Sequence, residues 1–78
     1  MARTLVHLTF SEELIREPLI YRLGKEFQIV TSIYRAAVTE ADGWVLLELQ
    51  GENQEIRRAI DFLRSMGVKV EERLDGDI

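Results

Sequence analysis

A single histidine, His7, and no cysteine bound the chemistry open to this sequence of 78 residues. Without a thiol, the chain makes no disulfide, offers no thiolate nucleophile and cannot ligate an iron–sulfur cluster by cysteine. Ser11 and Ser32 have no base nearby in sequence, and one histidine for the whole chain argues against a catalytic triad. General acid–base catalysis needs two groups of contrasting pKa in a water-poor cleft, and Glu13, Glu17 and Asp61 form no such arrangement. A glycine-rich phosphate loop is absent. The sequence therefore nominates no catalytic residue, metal ligand or cofactor, and the expectation is a protein that is not an enzyme. What remains is recognition. His7 could meet a ligand carboxylate. Trp44 could stack on a ligand or plug an interface, where tryptophan is enriched. Glu48 and Gln50 lie two apart on a strand, where Glu48 could take a ligand ammonium or pair across strands with Arg3, Lys69 or Arg73.

These residues must be positioned by a regular scaffold. Residues 3–10 alternate, with Thr4, Val6, Leu8 and Phe10 on one face and Arg3, Leu5, His7 and Thr9 on the other, as in a half-buried strand. Residues 11–17 lead to a helix over about 18–26, where Pro18 suits the first turn and Leu19, Ile20, Leu23 and Phe27 fall on one side. Gly24, late in that segment, marks close packing or early fraying. A second strand, Gln28–Val38, alternates imperfectly: Ile29, Thr31 and Ile33 form one set, and Val30, Ser32, Tyr34, Ala36 and Val38 the other. Residues 39–43 make a turn in which Gly43 is free to take positive φ. In the third strand, Trp44–Gln50, the residues Val45, Leu47 and Leu49 form a clean apolar face. Asn53, ahead of Glu52, is expected to cap a helix with a buried stripe of Ile56, Ala59, Ile60 and Leu63, and Gly67 sits where a C-terminal cap glycine belongs. Val68, Val70 and Leu74 mark a last strand, followed by a tail, 75–78, expected to fray.

The order β-α-β-β-α-β predicts an α+β, ferredoxin-like domain: a four-stranded antiparallel sheet with two helices on one face, within a single domain whose core runs over about 3–74. Right-handed crossovers put the first and third strands in the centre and the second and fourth at the edges. Leu5, His7, Tyr34, Trp44 and Leu46 are then expected on the uncovered face, as a surface for binding or dimerisation. A chain this short is marginally stable alone, and self-association is a common remedy. Ten basic against fourteen acidic residues, a net charge of −4, argue against a nucleic-acid surface. The acids cluster at Glu12–Glu13, Glu52–Glu55 and Glu71–Asp77, where solvated charge is the ordinary reading. No apolar run approaches the ~20 residues of a membrane span. The start, MARTLVHLTF, lacks a signal peptide's apolar stretch, so a cytoplasmic location is expected.

Several segments, in order, are similar to one family. They are Val6-His7-Leu8-Thr9-Phe10, Glu17-Pro18-Leu19-Ile20, the strand from Phe27 to Tyr34, Asp42-Gly43-Trp44, Leu47-Glu48-Leu49-Gln50-Gly51, and Gly67-Val68-Lys69-Val70. Together they resemble the NIL domain over residues 4–74. That module is best known at the C-terminus of the ATPase subunits of methionine-import ABC transporters, and it also occurs fused to ferredoxin-like iron–sulfur modules and as free-standing proteins. The triplet that names the family, Asn-Ile-Leu, here reads Ser32-Ile33-Tyr34. The serine hydroxyl offers one donor and a shorter reach than an amide. The resemblance implies that Ile33 lies in the core and that Ser32 and Tyr34 face the open side. It also implies a homodimer joined through sheet edges, with Val30, Ser32, Tyr34, Trp44 and Leu46 at the interface. A small amino acid or sulfur metabolite would bind there, against Ser32, Tyr34, Trp44, Glu48 and His7. Its partner would be a transporter. The alternative is a protein-interaction subunit for a sulfur-assimilation or iron–sulfur enzyme, anchored by Trp44 and Leu46 without a small ligand.

Overall fold

Strict alternation at the start of the chain builds a long central strand in the computed structural model, which describes residues 1–15, 17–39 and 41–73. The elements are β1 (Ala2–Ser11), a short α1 (Glu12–Ile15), α2 (Leu19–Glu26), β2 (Ile29–Val38), β3 (Asp42–Gly51), α3 (Asn53–Ser65) and β4 (Lys69–Arg73). The sheet is antiparallel in the order β2-β3-β1-β4, so β1 and β3 are central, as the crossover rule requires. The fold is ferredoxin-like, with one added turn of helix, α1, in the approach to α2. Among the described residues, no helix is long and apolar enough to cross a membrane.

The core is the helix-side face of the two central strands. Val6, Leu8 and Phe10 of β1 and Val45, Leu47 and Leu49 of β3 meet Leu19 and Leu23 of α2 and Ile56, Ala59, Ile60 and Leu63 of α3. All of these are buried, and period-two and helical spacing had placed every one of them inside. Outside the core, Phe27 and Phe62 tilt against each other at 5.6 Å, with the Arg22 guanidinium over Phe62 and that of Arg58 over Phe27. This layer ties the two long helices together at their surface.

Five expectations are corrected. Ile33 is 58% exposed rather than buried. Its register partner is Leu47, so it does face the helix side. However, α2, the helix that packs on β2, has eight residues and spans about 12 Å, whereas β2 has ten and spans about 33 Å. Only Ile29, at the start of β2, is buried. Leu5 faces the open side yet is only 2% exposed. It lies on a central strand between Glu48 and Arg73, whose long side chains can shield it without a second layer. Asn53 begins α3 rather than capping it; Glu52 occupies the cap position, with no side-chain cap bond. Gly43 has no positive φ and sits inside β3, paired with Phe10 and Val38. The turn is made instead by Thr39, whose hydroxyl lies 2.8 Å from Asp42 Oδ1 and accepts from the Asp42 N–H at 3.1 Å, while its own N–H donates to the Asp42 carbonyl. Finally, a bulge between Ile33 and Arg35 exchanges the two faces of β2, so Ala36 and Val38 pair with Val45 and Gly43 on the helix side instead of sharing a face with Val30 and Ser32. Leu74 and the tail 75–78 lie outside the described residues.

Two glycines respond oppositely to substitution. Gly67, at φ 93°, donates its N–H to the Arg64 carbonyl while the Val68 N–H donates to the Leu63 carbonyl, the paired bonds of a Schellman cap. Gly24 lies in α2 with nothing within 4 Å of an added Cβ, so it does not mark close packing. Urea denaturation of Gly67→Ala is expected to show a loss of about 1–2 kcal/mol, the cost of a left-handed alanine. Gly24→Ala is expected to show a gain of about 0.5–1 kcal/mol, the helix preference for alanine.

Two carboxylates tie helix to sheet. Glu72 of β4 accepts both guanidinium nitrogens of Arg57, with Arg64 at 3.9 Å, and the hydrogen bond from Arg57 holds its carboxyl below the usual range. Glu55 accepts the Gln28 backbone N–H at 3.0 Å and pairs with Arg58, and the Gln28 bond lowers its carboxyl likewise. A folded-state pKa below the unfolded value stabilises above the unfolded value, and that contribution is lost as pH falls through the folded one. The melting temperature is therefore expected to hold from neutral pH down to the ordinary carboxylate value of 4.5 and to fall below it. Glu72→Gln should flatten that acid limb in thermal scans at a series of pH values.

Candidate functional site

The face of the sheet away from the helices is built in rows by the strand register. One row reads Arg73, Leu5, Glu48, Ser32 across the four strands. The next reads Glu71, His7, Leu46, Arg35, and a third reads Lys69, Thr9, Trp44, Ala37. Alternation alone sends Leu5, His7, Trp44, Leu46 and Glu48 to this side, and the pairing sets which of them are neighbours.

Two contacts join the residues that the sequence nominated. The Tyr34 hydroxyl donates to Glu48 Oε2 at 2.9 Å. Tyr34 is the residue inserted by the bulge, so its side chain can reach toward Glu48 although Ser32 holds the position directly across. Among the described residues, no ion pair joins Glu48 to Arg3, Lys69 or Arg73; the phenol takes that place. The second contact is a stack of His7 on Trp44, ring centroids 5.3 Å apart and planes 19° from parallel. His7 Nδ1 is buried there without a hydrogen-bond partner. Leu46 lies half-buried beside His7, and Ser32 and Val30 are exposed on β2. Gln50 stands apart, paired in register with Val30 and Arg3 and with its amide 3.4 Å from the Met1 sulfur. The arrangement offers a carboxylate positioned by a phenol and a two-ring aromatic platform on one sheet face. Among the described residues, no three of His, Asp and Glu group closely enough to hold a metal ion.

The outer edge is β2. Val30, Ile33, Tyr34 and Val38 are 61%, 58%, 44% and 67% exposed, and they lie on both faces of the strand. An edge strand also presents a row of backbone N–H and C=O groups to its open side.

A groove on the helix side was not foreseen. It encloses about 250 Å³ between the start of α2 and the hairpin end of β2 and β3. Phe10, Val45 and Leu19 line it from the core, with Leu14, Pro18, Tyr21 and Val38 around them. Its only signal in the sequence was the faulty alternation of β2, since the bulge is what turns Val38 to this side.

Known proteins share this architecture. A methionine import ATP-binding protein, MetN 1 of Bacillus cereus, is 35% identical over 71 residues, covering 86% of this chain and 20% of that protein. MetN 2 of Acinetobacter baylyi is 35% identical over 71 residues, covering 86% and 21%. The chain thus spans about a fifth of the length of the curated relatives it matches. Among solved structures, the C-terminal domain of an ABC transporter ATP-binding protein from Enterococcus faecalis superposes with a TM-score of 0.77 at 29% identity, covering 96% of this chain and 86% of that one. A de novo designed protein, Ferredog-Diesel, matches at a TM-score of 0.61 and 18% identity, which speaks to the fold alone. The NIL domain family matches residues 4–72, nearly the whole chain, and with the sheet order and these relatives it follows that the chain belongs to the NIL domain family.

Proposed function

We propose that this chain is a regulatory, non-catalytic module of the cytoplasm that pairs with a second copy through β2 and senses an amino acid or related sulfur metabolite at the joined sheets. The observation that carries the reading is β2 itself, an edge strand with exposed apolar residues on both faces, as suits a strand destined for the middle of a larger sheet. Such a pair would be isologous. The names of the methionine import relatives supply the ligand class. Glu48 would take the ligand's ammonium group, Tyr34 would orient that carboxylate, and the His7–Trp44 stack would bear the ligand's apolar part. Ser32, across from Glu48 where the family has asparagine, would contribute a single hydroxyl. The ligand would act on a transporter or other partner only through unequal affinity for the states it joins.

Calorimetric titration with methionine, cysteine and homocysteine is the test. Heat of binding and a raised melting temperature are expected at millimolar ligand, and both should be lost in Glu48→Gln. Absence of both in the unmodified chain would sink the sensing reading.

A second reading follows from Trp44 and Leu46, half-buried on a sheet face that no helix among the described residues covers. That face would dock a partner protein, an enzyme of sulfur assimilation or an iron–sulfur enzyme, without a small ligand. Capture of such a partner by the unmodified chain but not by Trp44→Ala, with no calorimetric response to amino acids, would favour it.

A further inference from the structure

Arg35 lies on the open face only because of the bulge in β2. On an unbroken strand it would share the helix side with Ile33; the inserted Tyr34 turns it to the side of Ser32. There its neighbours are Ser32 and Ala37 along β2, Leu46 directly across, and Trp44 and Glu48 on the diagonals. Glu48 is the one charged group among them. Diagonal neighbours in an antiparallel pair stand about 7–8 Å apart, within reach of two long side chains. Yet the two do not pair. Glu48 is engaged by the Tyr34 hydroxyl, and the exposed Arg35 makes no hydrogen bond, ion pair or ring contact among the described residues.

Two opposite charges thus stand side by side at the border of an apolar floor. Leu46 forms that floor, and beyond it lie His7, its register partner on β1, and Trp44, stacked on His7. An α-amino acid is the complement of this arrangement: it carries an ammonium and a carboxylate on one carbon and a side chain pointing away from both. A guanidinium fork matches a carboxylate through two parallel hydrogen bonds, and a carboxylate that accepts one phenol keeps capacity for an ammonium.

We propose that Arg35 holds the ligand's carboxylate while Glu48 holds its ammonium, so that the open face selects a free α-amino acid with an apolar side chain over the corresponding amide. This selection rests on the sensing reading proposed above and adds to it a specificity-determining residue and the need for a free carboxylate. Both charged groups belong to one chain, so the selection does not depend on the second copy. Water screens the exposed guanidinium, which keeps the discrimination modest.

The test compares L-methionine with L-methioninamide, which keeps the ammonium and the side chain but has no carboxylate. Each is titrated into the full chain at about pH 6, below the ordinary pKa of an α-amino group, so that both carry the ammonium. The single tryptophan gives one indole N–H signal, followed by NMR together with the methyl signals of Leu46. Methionine should shift both and bind about two- to fivefold more tightly than the amide, the range an exposed ion pair supports. Arg35→Gln should erase that preference and leave the affinity for the amide unchanged. Since Arg35 is exposed on the edge strand, the variant should keep its melting temperature. Equal or tighter binding of the amide, a preference that survives Arg35→Gln, or binding that leaves Trp44 and Leu46 unmoved would overturn the role of Arg35 while amino-acid sensing itself stood. No binding of either ligand would overturn the sensing reading and the role of Arg35 with it.

Discussion

Leu47→Ala is expected to remove a large share of the protein's stability. Leu47 has no exposed surface and sits mid-strand in the helix-side layer, paired with Val6. Truncating a fully buried leucine costs about 2–5 kcal/mol, the lost transfer energy plus the cavity left behind. At about 0.05–0.15 kcal/mol per residue, a chain of 78 residues has only about 4–12 kcal/mol of total stability. Leu46 is the control. One residue away, it points to the opposite face and is half-buried, so Leu46→Ala should cost clearly less. Urea denaturation followed by circular dichroism separates the two: the midpoint should fall sharply for Leu47→Ala and mildly for Leu46→Ala, with the slope unchanged. Equal losses would mean that the open face is as thoroughly packed as the core.

The second large effect concerns assembly. The unmodified chain is expected to sediment at twice its 9.0 kDa at micromolar concentration, and the double substitution Val30→Lys, Ile33→Lys as a single chain. Val30 faces the open side and Ile33 the helix side, so the two lysines would flank the outer edge of β2 on both of its faces. Charge on an edge strand is a recognised block to strand pairing. Because both residues are more than half exposed, the variant should keep its melting temperature at concentrations where the unmodified chain is dissociated. A strict monomer for the unmodified chain would remove the edge-pairing proposal and, with it, the placement of a ligand between two sheets.

The contrast between β2 and β3 shows how far the sequence reaches. In β3, Val45, Leu47 and Leu49 alternate with Trp44, Leu46 and Glu48, and each residue lies on the face that its parity predicts. The same holds in β1 and for the stripe Ile56, Ala59, Ile60 and Leu63 of α3. In β2 the parity changes partway along the strand. The bulge at Tyr34 adds one residue, so Ser32 and Arg35 face the same side although they differ in parity. The imperfect alternation was visible, but its cause was not, because a bulge exists only relative to the strand opposite.

Tyr34, Glu48, His7 and Trp44 were each nominated for what their side chains can do, and the family resemblance turned Tyr34 toward the open face. Their joining as Tyr34–Glu48 and His7–Trp44 depends on the register between strands, which no local pattern encodes. The groove beside Val38 depends on where α2 begins relative to the hairpin end, and its lining comes from β1, the α1–α2 segment, β2 and β3.

By itself, then, the sequence determined the order of the four strands and the two longer helices, the core faces of β1, β3 and α3, and the glycine that stops α3. These follow from short-range periodicity and from backbone conformations that a single residue permits. Only the tertiary structure decided how deeply each face is covered. It left Ile33 exposed because α2 is too short to cover β2, hid Leu5 between the long side chains of its neighbouring strands, and turned Val38 into the groove. Periodicity assigns a side chain to a side of the sheet; burial also requires that another part of the chain reach it.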